Sequence, residues 1–274
     1  MSPAMANPFS YEGKRVVVTG AYSGVGAALV ELLSELGAAH VTVLDVRKPS
    51  GPVDVYLETD LGDPAALDGA IAAIDGRVDV LFNNAGVAGT QPARTVMSVN
   101  YLALRRLSEA LLDRIPAGGA IVNTASIAGN QWPEHLAEIT ELVGVDGWDA
   151  ALDWCDAHPD LIADAYAFSK QCVQVWTMRS SRTTGRHEVR TNSVCPAPID
   201  TPLLPEFRQV MTDKIIDWTV GQANGRLVTP REVATALAFL GSEAAVYVNG
   251  VNLDVDAGFF AAMKTGQVDF TGLS

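Results

Sequence analysis

Tyr166 and Lys170 stand four residues apart in AYAFSKQC, inside a helical pattern. At about 1.5 Å of rise per residue they share one helix face, about 6 Å apart along the axis. A tyrosine with an ordinary pKa near about 10 is a poor base at neutral pH, and lowering it by about three units takes about 4 kcal/mol in favour of the phenolate. A unit positive charge at about 4 Å supplies about that much at an effective dielectric near about 20. The spacing fits a proton-transferring pair. An isolated Tyr-x-x-x-Lys also fits a surface pair covering a helix, so neighbours must decide.

A second group of residues lies near the amino terminus. A Val-rich run ends in Thr19-Gly20-Ala21-Tyr22-Ser23-Gly24-Val25-Gly26 and passes straight into a helical pattern. Gly20 permits a tight turn, Gly24 lets the backbone approach a pyrophosphate, and Gly26 allows helix and strand to pack closely. The N–H groups of Tyr22, Ser23 and Val25 at that helix start favour phosphate. Such a turn also occurs for purely conformational reasons. Here Asp45 closes the next strand, 19 residues beyond Gly26. A carboxylate there accepts both ribose hydroxyls of an adenosine and repels a 2′-phosphate. Arg47 and Lys48 follow it, but Val46 and Ser23, the positions best placed to hold that phosphate, are neutral. NAD is the expected cofactor.

Taken in order, Gly20, Gly24 and Gly26, Asp60-Leu61, Asn83-Asn84-Ala85-Gly86, Asn100, Ser126 and Tyr166-x-x-x-Lys170 resemble the motifs of the short-chain dehydrogenase/reductase family. The resemblance spans about residues 13–258 of the 274. It implies that Ser126 holds the substrate oxygen, Tyr166 exchanges its proton, and Lys170 binds the ribose and lowers the tyrosine pKa. Asn100 would hold a water in the proton relay, and Asp60 with Leu61 would meet the adenine. Asn84, Ala85 and Gly86 would line the cofactor, and Ile199 and Thr201 would reach its carboxamide. The implied reaction is reversible hydride transfer between the nicotinamide and a secondary alcohol or ketone. One departure is Pro196-Ala197 where the family has Pro-Gly; alanine adopts positive φ less readily, so the backbone there is expected to differ. The absence of a helix before Val53 and the long gap from Ser126 to Tyr166 resemble the 3α-hydroxysteroid dehydrogenase/carbonyl reductase branch.

These residues need a scaffold. Strands are expected at 15–19, 40–45, 53–58, 78–83, 120–124, 190–195 and 252–255, several of them continuous Val/Ile/Leu runs suited to burial on both faces. Helical patterns fill 25–36, 64–74, 95–114, 160–184 and 230–240, the last with Thr229 as N-cap and Pro230 at its first position. The alternation predicts an α/β fold: a doubly wound, Rossmann-like parallel sheet of about seven strands with helices on both faces. Residues 1–12 read as a loose leader and 13–274 as one domain. An insertion at 130–160 contains a short amphipathic helix over Leu136, Ile139, Leu142 and Val143. Trp132, Trp148 and Trp154 of the insertion, with Leu203, Leu204, Phe207, Met211, Ile215, Ile216 and Trp218 of the stretch 202–225, are expected to form a lid over the nicotinamide. Such apolar density points to a bulky lipophilic substrate, steroid- or terpenoid-like.

Composition narrows the remaining classes. With 19 basic and 32 acidic residues the net charge is −13, which opposes nucleic acid or an anionic membrane as partner. Apolar runs fall far short of the roughly 20 residues that span a bilayer, and the amino terminus lacks a signal-peptide core. Cys155, Cys172 and Cys195 lack metal-type spacing and read as reduced thiols of a cytoplasmic protein. Glu134, His135 and Glu138 read as a solvated helix face, so no metal is expected. The segments 95–114 and 160–184 resemble the family's dimer-forming helices, and their apolar content exceeds what one sheet face requires, so a homo-oligomer, a tetramer, is expected. An epimerase on this fold would need a larger carboxyl-terminal domain. A non-catalytic dinucleotide sensor would show a damaged catalytic set.

Overall fold

The Val- and Ile-rich runs become strands because their side chains alternate between two apolar layers. In the computed structural model, which describes residues 7–271, β1 (Arg15–Thr19), β2 (His40–Asp45), β3 (Val55–Glu58), β4 (Val80–Asn83), β5 (Ala120–Thr124), β6 (Arg190–Pro196) and β7 (Asn252–Val255) form one parallel sheet. The strand order is β3-β2-β1-β4-β5-β6-β7. The winding reverses between β1 and β4, which opens a crevice at their carboxyl ends. As expected, no helix joins β2 to β3.

The α-helices are α1 (Gly24–Glu35), α2 (Pro64–Ala73), α3 (Ala93–Met97), α4 (Ala103–Leu111), α5 (Leu136–Gly144), α6 (Trp148–Asp156), α7 (Ala165–Thr184), α8 (Leu204–Gln222), α9 (Pro230–Gly241) and α10 (Phe259–Lys264). Val16 and Val18 of β1, Val80 and Phe82 of β4 and Val122 of β5 face Leu29 and Leu33 of α1 and Leu237 of α9. The intervening Val17, Leu81 and Ile121 face Leu67 of α2 and Leu107 and Leu111 of α4. This period-2 alternation is the doubly wound core. Thr229 caps α9 in a reciprocal box with Glu232, as its sequence promised.

Across the centre runs a buried polar ladder. Asn83 Nδ2 donates to Ser108 Oγ and Asn123 Oδ1, both at 2.9 Å, and Asn123 Nδ2 donates to Thr177 Oγ1 at 2.9 Å. It ties β4, β5, α4 and α7 together.

Four expectations need correction. The leader is held from residue 7 onward: Tyr11 is 1% exposed, its hydroxyl donates to the Ala238 carbonyl at 2.7 Å, and Ala244 N–H donates to the Pro8 carbonyl at 2.9 Å. Residues 1–6 of that leader lie outside the described residues. The helix expected at 95–114 is interrupted by a π-helical turn at Ser98–Leu102, and the one expected at 160–184 begins its α-helical part at Ala165, where Asp164 caps it. Finally, the insertion holds two helices. Besides α5 it contains α6, entered through Gly147 at φ +93°.

Ile139 and Leu142 of α5 and Leu152 and Cys155 of α6 join one apolar cluster with Tyr101, Leu104, Phe168 and Trp176. The insertion therefore covers part of the apolar surface of α4 and α7 on which the expected tetramer rested.

Candidate active site

The glycine turn after β1 is dictated by crowding. Gly20 sits at φ +70°, and a Cβ there would stand 2.5 Å from Ala85 Cα. A Cβ on Gly26 would stand 2.0 Å from the Gly20 carbonyl oxygen, so α1 packs against the turn as the spacing required. Thr19 Oγ1 accepts from the backbone N–H of Asn84 and Ala85 at 3.0 and 3.1 Å. The Asn84 amide donates to the Gly20 carbonyl at 2.9 Å and accepts from Thr124 Oγ1 at 3.2 Å. Asn84 thus clamps the ends of β1, β4 and β5. Ser23 leads into α1 without a side-chain cap, which leaves the first-turn N–H groups for an anion.

A cavity of about 700 Å³ extends from this turn across the strand ends. One end is walled by Asp45, Asp60, Leu61, Tyr22 and Arg47. The Asp45 carboxylate accepts from the N–H of Tyr22 at 2.8 Å and of Arg47 at 3.0 Å, so it is fixed in place. Each of its oxygens keeps a lone pair for a further donor. Arg47 lies with its guanidinium 3.9 Å above the Tyr22 ring. Asp60 accepts from Gly62 N–H at 2.8 Å, which shapes the loop beside it. Farther along, Ser23, Gly24, Val25, Ala85, Gly86, Ile199 and Thr201 line the walls. A glycine cradle, uncapped helix amides and a fixed carboxylate suit a dinucleotide, and every residue expected to bind one, except Gly26 packed behind the turn, lines this cavity.

At the other end stand Ser126, Tyr166 and Lys170. Ser126 follows β5 and accepts from Ala128 N–H at 3.1 Å, opening a 3₁₀ turn, Ile127–Gly129. A Cβ on Gly129 would meet the Lys170 carbonyl at 2.6 Å, so this turn lies directly on α7. Gln174, one turn beyond Lys170, donates to the Ser126 carbonyl at 2.9 Å and to Asn130 Oδ1 at 2.7 Å. It positions the serine, and sequence reasoning missed it. Asn100 lies in the π-helical turn, a common device at functional sites. Its amide accepts from Val87 N–H at 2.8 Å and donates to the Val87 carbonyl at 3.1 Å.

Electrostatics here differ from the first expectation. The Lys170 ammonium donates to the Thr124 carbonyl at 2.9 Å and lies 5.8 Å from the centre of the Tyr166 ring. Burial pushes the Tyr166 phenol up to about 12, against a hydrogen bond from Ser126 that lowers it. Burial also draws Lys170 down to about 8. In the protein alone desolvation governs the tyrosine.

The lid expectation divides. Leu203, Leu204, Phe207, Met211 and Ile216 do line the cavity, and the Phe207 ring meets the Tyr166 ring edge-on at 4.9 Å. The helix carrying them, α8, is kinked at Thr212, φ +67°. Trp218 instead packs behind it, 5.6 Å from Phe259, with its indole N–H on the Asp269 carbonyl at 2.8 Å. Trp132, Trp148 and Trp154 pack into the cluster around α7, and the insertion offers the cavity only Gln131. Phe259 and Phe260 complete the wall and were not anticipated; two phenylalanines directly after a strand and a glycine were the available signal.

Ala197 adopts no positive φ. Its N–H donates to Val255 O at 3.1 Å, so the Pro-Ala departure brings no strain. Burial raises all three thiols, Cys155 to about 11 and Cys195 to about 12, so none supplies a thiolate. His135 is occupied with Gln171 Oε1 at 2.8 Å. Among the described residues no cluster suits a metal ion, and no helix is long and apolar enough to cross a membrane.

Comparison with known proteins agrees with this geometry. Residues 14–138 match the short chain dehydrogenases, and 160–260 match the enoyl-(acyl carrier protein) reductase group. The coniferyl-alcohol dehydrogenase of Pseudomonas sp. (strain HR199 / DSM 7063) is 36% identical over 249 residues, covering 89% of this chain and 96% of the relative. The 3-alpha-hydroxysteroid dehydrogenase from Pseudomonas sp. B-0831, complexed with NADH, superposes with a TM-score of 0.77 at 32% identity, covering 92% of this chain and 99% of that one. A short chain dehydrogenase from Burkholderia cenocepacia J2315 in complex with NADP shares the fold, with a TM-score of 0.70 at 24% identity, covering 93% of this chain and 100% of that one. With its seven-stranded sheet, glycine cradle and Ser126–Tyr166–Lys170 cluster, the chain belongs to the short-chain dehydrogenase/reductase family of NAD(P)-dependent oxidoreductases.

Proposed function

We propose that the chain transfers a hydride between NAD(H) and a bulky, lipophilic secondary alcohol or its ketone, with steroid- or terpenoid-like skeletons as the class. The observation that carries this reading is the apolar wall of Leu204, Phe207, Met211 and Phe259 facing Ser126 and Tyr166 in the same cavity. Bound NAD supplies the hydride acceptor. Ser126 and Tyr166 hold the substrate oxygen, and in oxidation the Tyr166 oxygen takes its proton. Lys170 reaches the ribose, and Asn100, fixed to Val87, holds the water that passes the proton onward. Three buried free thiols suit a reducing cytoplasm. The intact catalytic set speaks against a non-catalytic sensor.

Steady-state assays over a panel of alcohols with NAD and NADP test the reading. A 3α-hydroxysteroid should exceed 2-propanol in kcat/KM by about tenfold or more, because a fully buried apolar group adds about 1.5–3 kcal/mol. Phe207→Ala should raise KM for the large alcohols by about tenfold and for 2-propanol much less. Equal responses, or no turnover of any alcohol, would sink the proposal.

NAD preference rests on Asp45, which would lose two hydroxyl bonds and face a dianion if NADP bound. Asp45→Ser should narrow the ratio of kcat/KM values by about tenfold or more, since hydrogen bonds to a charged group contribute about 1.5–3 kcal/mol. A wild-type ratio favouring NADP would assign that end of the cavity to Arg47 and Lys48.

A further inference from the structure

The lid brings one charged side chain to the substrate end of the cavity, Glu206. Its carboxylate is met by a hydroxyl, Thr90 Oγ1 at 2.6 Å, rather than by a cation. Thr90 belongs to the loop between β4 and α3, so the bond spans the pocket mouth from the sheet to α8. Gly89, beside Thr90, lies between the catalytic helix and the lid: a Cβ there would stand 3.5 Å from both Tyr166 Cβ and Val210 Cγ1. Phe207, beside Glu206, rests on the Tyr166 ring at 4.9 Å. Adjacent lid residues thus carry a latch and the cover of the catalytic tyrosine. The cationic groups on the cavity wall are committed elsewhere, Lys170 to the Thr124 carbonyl and Arg47 to the Tyr22 ring.

We propose that Glu206 is a specificity-determining residue: latched by Thr90, it closes the lid at Tyr166 and fixes a negative charge at the pocket rim, so that uncharged alcohols enter and alcohols bearing a carboxylate or phosphate are rejected. The inference rests on the dehydrogenase reading above. A fixed carboxylate beside low-dielectric apolar walls repels an anion more strongly than it would in bulk water. The net charge of −13 acts in the same direction at longer range. Specificity of this kind comes from the repulsive element, while the apolar wall supplies attraction.

The test compares 4-hydroxycyclohexanecarboxamide with 4-hydroxycyclohexanecarboxylate, a neutral and an anionic probe of one skeleton, as competitive inhibitors of the best alcohol of the panel. In the wild type the carboxamide should bind about tenfold more tightly, and raising the salt from about 0.05 M to about 0.5 M should shrink that ratio. Glu206→Gln keeps an acceptor for Thr90 and removes the charge; the ratio should fall by about fivefold or more and lose its salt dependence. Thr90→Val keeps the charge and removes the latch, so both probes should weaken by about threefold while their ratio stays. Equal inhibition by the two probes, or a ratio that Glu206→Gln leaves alone, overturns the role of Glu206 and leaves the dehydrogenase reading standing. Absence of turnover with every panel alcohol overturns that reading and this role with it.

Discussion

Replacing Tyr166 by phenylalanine should lower turnover by about 100-fold or more, the range that a positioned acid–base group contributes, while NAD affinity changes little. The ring keeps its edge-on contact with Phe207, and only the hydroxyl is lost. Single-turnover hydride transfer and a separate titration of NAD measure the two effects. Retained activity above about a tenth of wild type would remove Tyr166 from the proton-transfer role. The pH dependence follows from its surroundings. Burial holds the phenol up near about 12, and raising the pH populates the phenolate. Alcohol oxidation should therefore climb through the neutral range towards about tenfold per pH unit, and ketone reduction, which needs the phenol, should not. A flat oxidation profile would indicate another base.

Lys170→Met should abolish activity and at the same time stabilise the cofactor-free chain. The ammonium has an ordinary pKa of 10.5 and is drawn down to about 8 by burial in the folded protein. Between those values the unfolded chain binds the extra proton, so folding stability rises with pH across that window. Below pH 8 the folded chain carries the whole penalty, about 3 kcal/mol. The bond to the Thr124 carbonyl offsets part of what methionine would relieve, about 1.5–3 kcal/mol for a charged donor. Urea unfolding at pH 7 and at pH 10.5 measures the difference. The variant should gain at the lower pH, lose the upward slope and bind NAD more weakly. A slope that survives the substitution would assign it to another group, and unchanged NAD affinity would remove the ribose contact.

Sheet and cofactor turn were readable because each follows from a short, nearly context-free rule. Val16–Val18, Leu81 and Ile121 are apolar whichever face they meet, and a run buried on both sides can only be an interior strand. Gly20 and Gly26 are demanded by clashes with Ala85 and the Gly20 carbonyl, which the glycine spacing already encodes. The insertion was less legible because its tryptophans are amphipathic in meaning: the same apolar density serves a lid or a core. Folding chose the core, and α6 was missed because its first turn follows a left-handed glycine rather than a polar cap. The kink at Thr212, the π-helical turn and the role of Gln174 were also hidden. Asn100 of the π turn and Gln174 bond to Val87, Ser126 and Asn130, partners distant in sequence, and periodicity carries no record of such partners.

The amide ladder at Asn83 and Asn123 has a consequence beyond holding four elements together. β4 and β5 pair with Val80 opposite Ala120, Leu81 opposite Ile121 and Phe82 opposite Val122, aliphatic or aromatic partners that tolerate one another in several alignments. Only with Asn83 opposite Asn123 does the Asn83 amide N–H meet the Asn123 amide oxygen; a slide by two residues would set each against hydrocarbon, at a cost of about 1–3 kcal/mol for every stranded polar group. The ladder therefore acts as an alignment key for an otherwise slippery pair of strands. Asn84 stands one residue beyond the key on β4 and Ser126 three beyond it on β5, so a mis-stepped pairing would part the cofactor clamp from the substrate hydroxyl. Two asparagines that do not line the cavity thereby keep Asn84 and Ser126 in step.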